Sequence, residues 1–422
     1  MDHKIIALVI FLLSYLLFII LPARRMWIAI VGSLALILLN VMSPNEAFWS
    51  INWNVMGMFV GMLLLVDVFM GSKVPAYLAE IIVDRSRSTA WSIIFICIMT
   101  SFISAFVENV ATLLIVAPIA IELARKLRIN PTEMIIAIAI SSNLQGTATL
   151  IGDPPSMLLG GFAKMSFNDF FFYHGKPGIF WAVQLGAVAS MIVLYFFFRR
   201  HKEKTSLVRI EKVRSWLPTG LLVGLILLLA TSAWWDQGFA YTAGSLCMIF
   251  GLAALIWAQM VNRHSLLKSV KGLDWETTLF LAGVFVMVGS LTSTGWISAS
   301  SDFLSGLIGN NIFLGFTAIV FISVILSAFI DNVPFLVAML PIASGMAQRA
   351  QVDPSLFLFG LLIGASLGGN ITPIGASANI VACGILKKEG YPVTFGKFVS
   401  IGLPFTLAAV SAAYLFIWLI WH

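Results

Sequence analysis

Charge is what this chain has least of. Of its 422 residues only 10% are Asp, Glu, Lys or Arg, where about 25% is usual for a soluble domain. So few charges cannot clothe a water-exposed globule, and soluble enzymes drop out first. Cysteine is scarce too. Cys97, Cys247 and Cys383 are scattered through apolar segments, which gives neither a disulfide framework nor a CxxC metal site. The chain holds no HExxH, and no histidine lies in the core of an apolar run. This speaks against an intramembrane enzyme or a metal-ligand cluster. Hydrocarbon is plentiful instead: 60% of the chain is AVILMFWYC. The apolar runs are too long and continuous for the alternating strands of an outer-membrane barrel. The expected class is therefore an all-α polytopic membrane protein. Its net charge of +6 belongs to a membrane face, not to nucleic acid, and no cofactor is expected.

Hydropathy places ten spans near 5–21, 26–42, 55–70, 134–165, 179–198, 216–233, 239–261, 277–292, 355–387 and 398–421. The first run ends at Pro22 without a small-residue cleavage site and is read as a retained span. Spans 134–165 and 355–387 exceed one crossing and are broken by Gly, Pro and polar residues. Two further stretches, 91–121 and 310–347, carry Glu108-Asn109 or Asp331-Asn332 at their centres. Their arms are shorter than the ~20 residues a crossing needs. They are read as re-entrant hairpins, with long kinked spans as the alternative. If 199–215 is cytoplasmic, the hairpin topology puts 21 of the 25 basic residues on that side and leaves Lys4, Lys164, Lys176 and Arg349 outside. Both termini then face out, and the positive-inside bias is satisfied. The expected location is the plasma (inner) membrane of a prokaryote.

A shift of 223 positions superposes the polar-centred regions without a gap. Ser104-Ala105-Phe106 falls on Ser327-Ala328-Phe329, Glu108-Asn109-Val110 on Asp331-Asn332-Val333, and Pro118 on Pro341. Gly146, Thr149, Ile151-Gly152 and Gly161 fall on Gly369, Thr372, Ile374-Gly375 and Gly384, and upstream a shift of 222 brings Trp53 onto Trp275. The chain thus reads as repeat 1 (1–198), a basic cytoplasmic linker (199–215) and repeat 2 (216–422). Each repeat has five crossings, one of them broken, and one hairpin. Five is odd, so the two repeats have inverted topology, an arrangement of secondary transporters that bind at the midplane between the breaks.

Backbone at membrane depth must be hydrogen-bonded or line a wet cavity. The hairpin tips and the breaks 143–155 and 368–379 are therefore the candidate site. Their amides, hydroxyls and carbonyls suit a hard cation, and opposed half-helix N-termini suit an anion. The bland alternative is that Asn and Thr cap the half-helices and Gly-Pro makes the break. As substrate ligands the sequence offers Asn109, Thr112, Gly146, Thr147, Thr149, Asn332, Asn370, Thr372, Ser377 and Asn379. For the coupling ion, Na⁺ or H⁺, it offers Glu108, Asn109, Asn143, Asp153, Asp331 and Asn332. Asp67, Glu108, Asp153 and Asp331 fall at membrane depth with no Lys or Arg expected beside them, where carboxylates serve as proton relays or cation ligands. With no membrane arginine, highly charged anions are disfavoured as substrates.

These residues resemble the ion transporter superfamily, which includes arsenite and antimonite efflux permeases, the melanosomal P protein, sodium–dicarboxylate symporters, citrate–metal symporters and a class of sodium/proton antiporter. GTATLIGDPPS (146–156) and GASANIVACGI (375–385) with GYPVTFGKF (390–398) are similar to the arsenical pump and P protein branch. Ser156 stands where that branch usually has Asn. The resemblance implies a scaffold and a transport domain, a homodimer, an elevator-like motion, and sodium sites that pair Asn109 with the first break and Asn332 with the second. Glu108 and Asp331 replace the Ser of dicarboxylate relatives, which weakens a dicarboxylate assignment. The expected function is secondary active transport of a small inorganic solute, with arsenite or antimonite efflux as the named guess. A sodium/proton antiporter and, from another class, an anion channel are the alternatives. Lipids and the solute are the expected partners.

Overall fold

The computed structural model describes residues 2–84, 86, 88–127, 129–200, 212–236, 241–262, 266–308 and 311–422. Most of the expected basic linker, 201–211, lies outside the described residues. The chain opens with α1 (His3–Ile20), capped by Asp2, and α2 (Arg25–Leu38). The short α3 (Pro44–Ser50) starts on a Ser43–Glu46 capping box. Then come α4 (Trp53–Gly71), α5 (Val74–Asp84), α6 (Thr89–Ser104) and α7 (Asn109–Leu127). The first broken helix is α8 (Thr132–Gly146) and α9 (Pro154–Ala163), followed by a small hairpin of β1 (Phe172–Tyr173) and β2 (Lys176–Pro177) and by α10 (Ile179–Phe198). The second half runs α11 (Leu217–Ser232), α12 (Thr242–Asn262), α13 (Leu266–Gly272), α14 (Trp275–Ser293) and α15 (Trp296–Ile308). It continues with α16 (Ile312–Ser327), α17 (Asn332–Arg349), the broken helix α18 (Pro354–Gly368) and α19 (Ser377–Lys388), and α20 (Phe395–Trp421).

Seven of these helices are long and apolar enough to cross a membrane. Each of the ten expected spans coincides with a helix or a broken helix, and both polar-centred stretches are helix–turn–helix pairs: α6 with α7, and α16 with α17. Four short helices, α3, α5, α13 and α15, fall where the hydropathy reading had only loops. α5 and α15 lie 222 positions apart, at the junction between a long helix and a hairpin in each half.

Burial ranks the elements. Every residue of α8 from Met134 to Gly146 is buried, as is every residue of α18 from Ser355 to Gly368, so the two broken helices thread the centre. α1 instead exposes Leu12, Leu13, Leu16 and Ile20, as a lipid-facing helix does. Close packing depends on small residues, as is usual between helices without a hydrophobic driving force. α4 meets α12 where Gly57 faces Gly244 and Gly61 faces Cys247 and Gly251. Gly283 of α14, equivalent to Gly61, sits against Ala29 of α2. Each half therefore supports the other: α2 packs on α14, α4 on α12 and α10 on α20. Cys97 and Cys247 are buried and Cys383 is half-buried.

Candidate functional site

The hairpin tips are built alike. Glu108 ends the first turn, and its Oε2 accepts from the Ala111 amide at 2.9 Å; Asp331 caps α17, its Oδ1 accepting from the Val333 amide at 3.0 Å. Ser104 donates to Asn109 Oδ1 at 2.7 Å, and Ser327 donates to Asn332 Oδ1 at 2.5 Å. The carboxylates satisfy orphan amides of a helix start and still keep oxygens for other partners. The capping alternative is thus realised in the tip carboxylates themselves.

The breaks repeat the same device. Thr149 donates to the Ala105 carbonyl and Thr372 to the Ala328 carbonyl, which pins each break to its own hairpin. A Cβ on Gly152 would stand 2.3 Å from the Gly146 carbonyl oxygen and 2.9 Å from that of Ala105; on Gly375 it would stand 2.5 Å from the Gly369 oxygen and 2.9 Å from that of Ala328. Only glycine allows this approach. Gly146 itself lies against the Asn109 amide, so tip and break of the first half touch. Asp153 caps α9, accepting from the Ser156 amide at 3.0 Å. Asn143 joins the halves: its Nδ2 donates to Asn370 Oδ1 and to Asn379 Oδ1, both at 3.0 Å. Asn379 in turn donates to the carbonyls of Gly369 and Thr372, each at 2.9 Å.

Ser156, the departure from the resembling family, is the repeat counterpart of Asn379. Its hydroxyl reaches the Gly146 carbonyl, at 3.4 Å, and the Asp153 carboxylate. Asn143 has Ser366 as its own counterpart. Asn and Ser are therefore exchanged between the two breaks, and Asn143 bonds across to the Asn that the second break retains. The Asn370 Nδ2 and the Ser366 hydroxyl are buried without a hydrogen-bond partner. Thr147, the repeat counterpart of Asn370, turns its hydroxyl toward the Asp153 carboxylate instead.

A cavity of about 580 Å³ opens between the tips and the breaks. Glu108, Asn109, Asn143, Asp153, Asp331, Asn332 and Ser377 lie on its wall, with Asp67, Asp274 and Ser366. Gly146, Thr147, Thr149, Asn370, Thr372 and Asn379 are buried behind that wall. Thr112 is buried and donates to the Glu108 carbonyl at 3.1 Å, so it serves its own helix and not the cavity.

One expectation is corrected. Asp331 has a basic partner: Arg25 Nη1 lies 2.6 Å from Asp331 Oδ2. Counted along the sequence, Arg25 is a loop residue at the edge of a span; in space its long side chain reaches the cavity wall. The pairing spans 306 positions, so no local pattern signals it. The Gln145–Gln184 pair, reciprocally bonded at 3.0 Å, was also missed. It floors a second, largely apolar cavity of about 680 Å³ between α6, α8 and α10. As to a cation, the donor set fits: carboxylate and amide oxygens at both tips, with the Ser366 hydroxyl unused on the same wall.

Comparison with known proteins accords with this geometry. The CitMHS citrate transporter family matches residues 15–364. An uncharacterized transporter of Mycobacterium bovis is 31% identical, over 99% of this chain and 98% of its own. The P protein of Mus musculus is 26% identical, over 86% of this chain and 53% of its own. Among solved structures, the YdaH transporter of Alcanivorax borkumensis covers 99% of this chain and 98% of its own, with a TM-score of 0.64 at 13% identity. The Neisseria gonorrhoeae pump MtrF covers 90% and 83%, with a TM-score of 0.58 at 16% identity. Those two likenesses speak to fold alone. From the family match and the full-length relatives, the chain belongs to the CitMHS citrate transporter family and is a multi-pass membrane transporter.

Proposed function

We propose that the chain is a secondary active transporter working by alternating access, with a coupling cation, Na⁺ or H⁺, held at the hairpin tips and a small solute held between the breaks. The observation that carries this reading is the convergence of both tips and both breaks on one cavity, where the described residues place Asp67, Glu108, Asp153, Asp274 and Asp331 on the wall with Arg25. A wall so acidic favours a cation. The unused Ser366 hydroxyl on the cavity wall supplies a partner for a solute at the junction of the breaks, since buried polar groups ordinarily find one.

In this reading the halves are inverted repeats, the hairpins are re-entrant, and the basic loops face the cytoplasm in a prokaryotic inner membrane. The cavity, walled by Pro22, Arg25 and Gly272–Asp274, then opens inward. The tips and breaks move as one elevator-like body in each protomer of a homodimer. The solute to test first is a small inorganic species of the arsenite or antimonite type. A carboxylate substrate is the second reading, because the family description names citrate and the planar fork of Arg25 suits a carboxylate.

Flux in proteoliposomes under imposed Na⁺ and pH gradients decides among these. Uphill movement of arsenite, antimonite or citrate supports the carrier and selects its solute. Na⁺-driven proton movement without a third solute selects the antiporter instead. Flux that only runs downhill at channel-like rates overturns the carrier. Glu108→Gln and Asp331→Asn are each expected to abolish or shift the pH dependence of transport, and an unchanged profile in both overturns the coupling assignment.

A further inference from the structure

Arg25 is the first residue of α2, and it holds several groups at once. Nη1 bonds Asp331 Oδ2 at 2.6 Å, Nη2 bonds Thr277 Oγ1 at 3.0 Å, Nε lies 4.0 Å from Glu276 Oε1, and the guanidinium sits 5.2 Å from the centre of the Phe280 ring. Thr277 is itself held by Asp274, to whose Oδ2 it donates at 2.5 Å. Three of these contacts belong to α14, against which α2 packs; only Asp331 belongs to a hairpin tip. Arg25 is therefore a strut from the α2–α14 pair to the second tip. The pair faces the cavity, with the Arg25 side chain 22% and that of Asp331 32% exposed, so an ion arriving through the cavity can reach it. The first tip differs: Glu108 makes no ion pair among the described residues.

Resting on the reading of the second tip as a cation site, we propose that Arg25 competes with Na⁺ for Asp331, so that the Arg25–Asp331 pair locks this tip to α2 and α14 when no cation is bound. A guanidinium and a metal cation cannot both sit at hydrogen-bond distance on Asp331 Oδ2, because two positive charges so close repel one another. Binding at the second tip therefore releases Arg25, whereas binding at the first releases nothing. The lock also occupies a particular surface. Asp274 and Thr277 are the counterparts, 222 positions on, of Asn52 and Val55, and both Asn52 and Asp274 cap their helices through the amide three residues later. In the first half Gly161 of α9 seats on Asn52 and Val55; a Cβ on its counterpart Gly384 of α19 would meet nothing within 4 Å. Arg25 stands on the face that an equivalent seating of α19 would need. Freed by the cation, it clears that face.

The test is thermal stabilisation of the purified full chain by NaCl and LiCl, with choline chloride holding ionic strength constant so that screening does not mimic release. Arg25→Gln is expected to lower the half-saturating Na⁺ concentration roughly tenfold, the scale of one charge-assisted hydrogen bond. Asp331→Asn is expected to remove that difference, so that the double variant behaves like Asp331→Asn alone. Should Arg25→Gln fail to fold, Thr277→Val, which removes only one bond positioning the guanidinium, is expected to give a smaller shift in the same direction. Stabilisation that appears only in Arg25→Gln supports the competition as well. A stabilised wild type with an unchanged half-saturating concentration in the folded Arg25 or Thr277 variant overturns the competition and leaves the cation site standing. No stabilisation by either salt, in wild type or variants, overturns a sodium site at this tip and the lock with it.

Discussion

The two hairpin-and-break units share their hinges and differ in their flanks. Within each unit the same contacts recur 223 positions apart: Ser to Asn at the tip, Thr to the carbonyl below the tip, and glycine pressed on a carbonyl at the break. Around the units the symmetry fails in three places. Among the described residues the first tip carboxylate has no cationic partner, and the second holds Arg25. α9 seats on α4 through Gly161, while Gly384 of α19 stands open. α18 presses on α16 through Gly360, Gly364 and Gly368, whereas α8 has Ala137, Ser141 and Gln145 at those positions and leaves a cavity beside α6. The difference separates two kinds of constraint. Contacts that hold an unwound backbone inside a membrane have few solutions, since every carbonyl and amide there needs a partner, and both halves use the same one. Contacts with the surrounding helices are free to diverge, and there the two halves take up different positions within a single molecule.

The largest effect is expected where the units agree. Gly152→Ala and Gly375→Ala each drive a Cβ into backbone oxygens that cannot move aside. Each should cost about 1–3 kcal/mol or more and abolish transport; melting temperature and proteoliposome flux report both. Tolerance of one variant and not the other would break the equivalence of the breaks. Next is the Gln145–Gln184 pair. The positions 223 further on are Gly368 and Leu407, so the second half has no such amides. Gln145→Leu or Gln184→Leu alone strands the other amide and should cost about 1–3 kcal/mol, while the double variant should recover most of it. A double-mutant cycle of melting curves measures the coupling, and additive losses would show that the pair does not act as a unit. The smallest effect sharpens the seating difference. Gly161→Ala meets Val55 Cγ2 at 2.3 Å and Asn52 Nδ2 at 2.7 Å and should destabilise. Gly384→Ala meets nothing and, in the interior of a helix, should stabilise by up to about 1 kcal/mol. Equal losses at both positions would mean that α19 also seats on a neighbour.

Much of this was legible in the sequence, for physical reasons. A lipid-crossing helix must be a long apolar run, so α1, α4, α10, α12 and α20 announce themselves. A break at membrane depth must be Gly, Pro and amides, so 143–155 and 368–379 do too. α5 and α15 were not legible, because short helices between a long helix and a hairpin leave little hydropathy signal. Arg25 was misjudged because its place at a span edge says nothing about where a long side chain points. Thr112 reads as a ligand because it lies near a tip, and the sequence does not show that its hydroxyl bonds back to its own helix. The exchange of Asn and Ser between the breaks was half visible, as an odd Ser156, but its meaning needed Asn143 and Asn379 in space.

The distribution of thiols has a practical consequence. Cys97 and Cys247 are sealed, the latter against Gly61 at a backbone-to-backbone seam, and only Cys383 is partly open, on α19 beside the free Gly384. A maleimide dye added to the unaltered protein should therefore attach at one position, on the open face of the arm that follows the second break. The chain carries its own fluorophore attachment point for watching that arm by spectroscopy, without a cysteine-free background having to be built first.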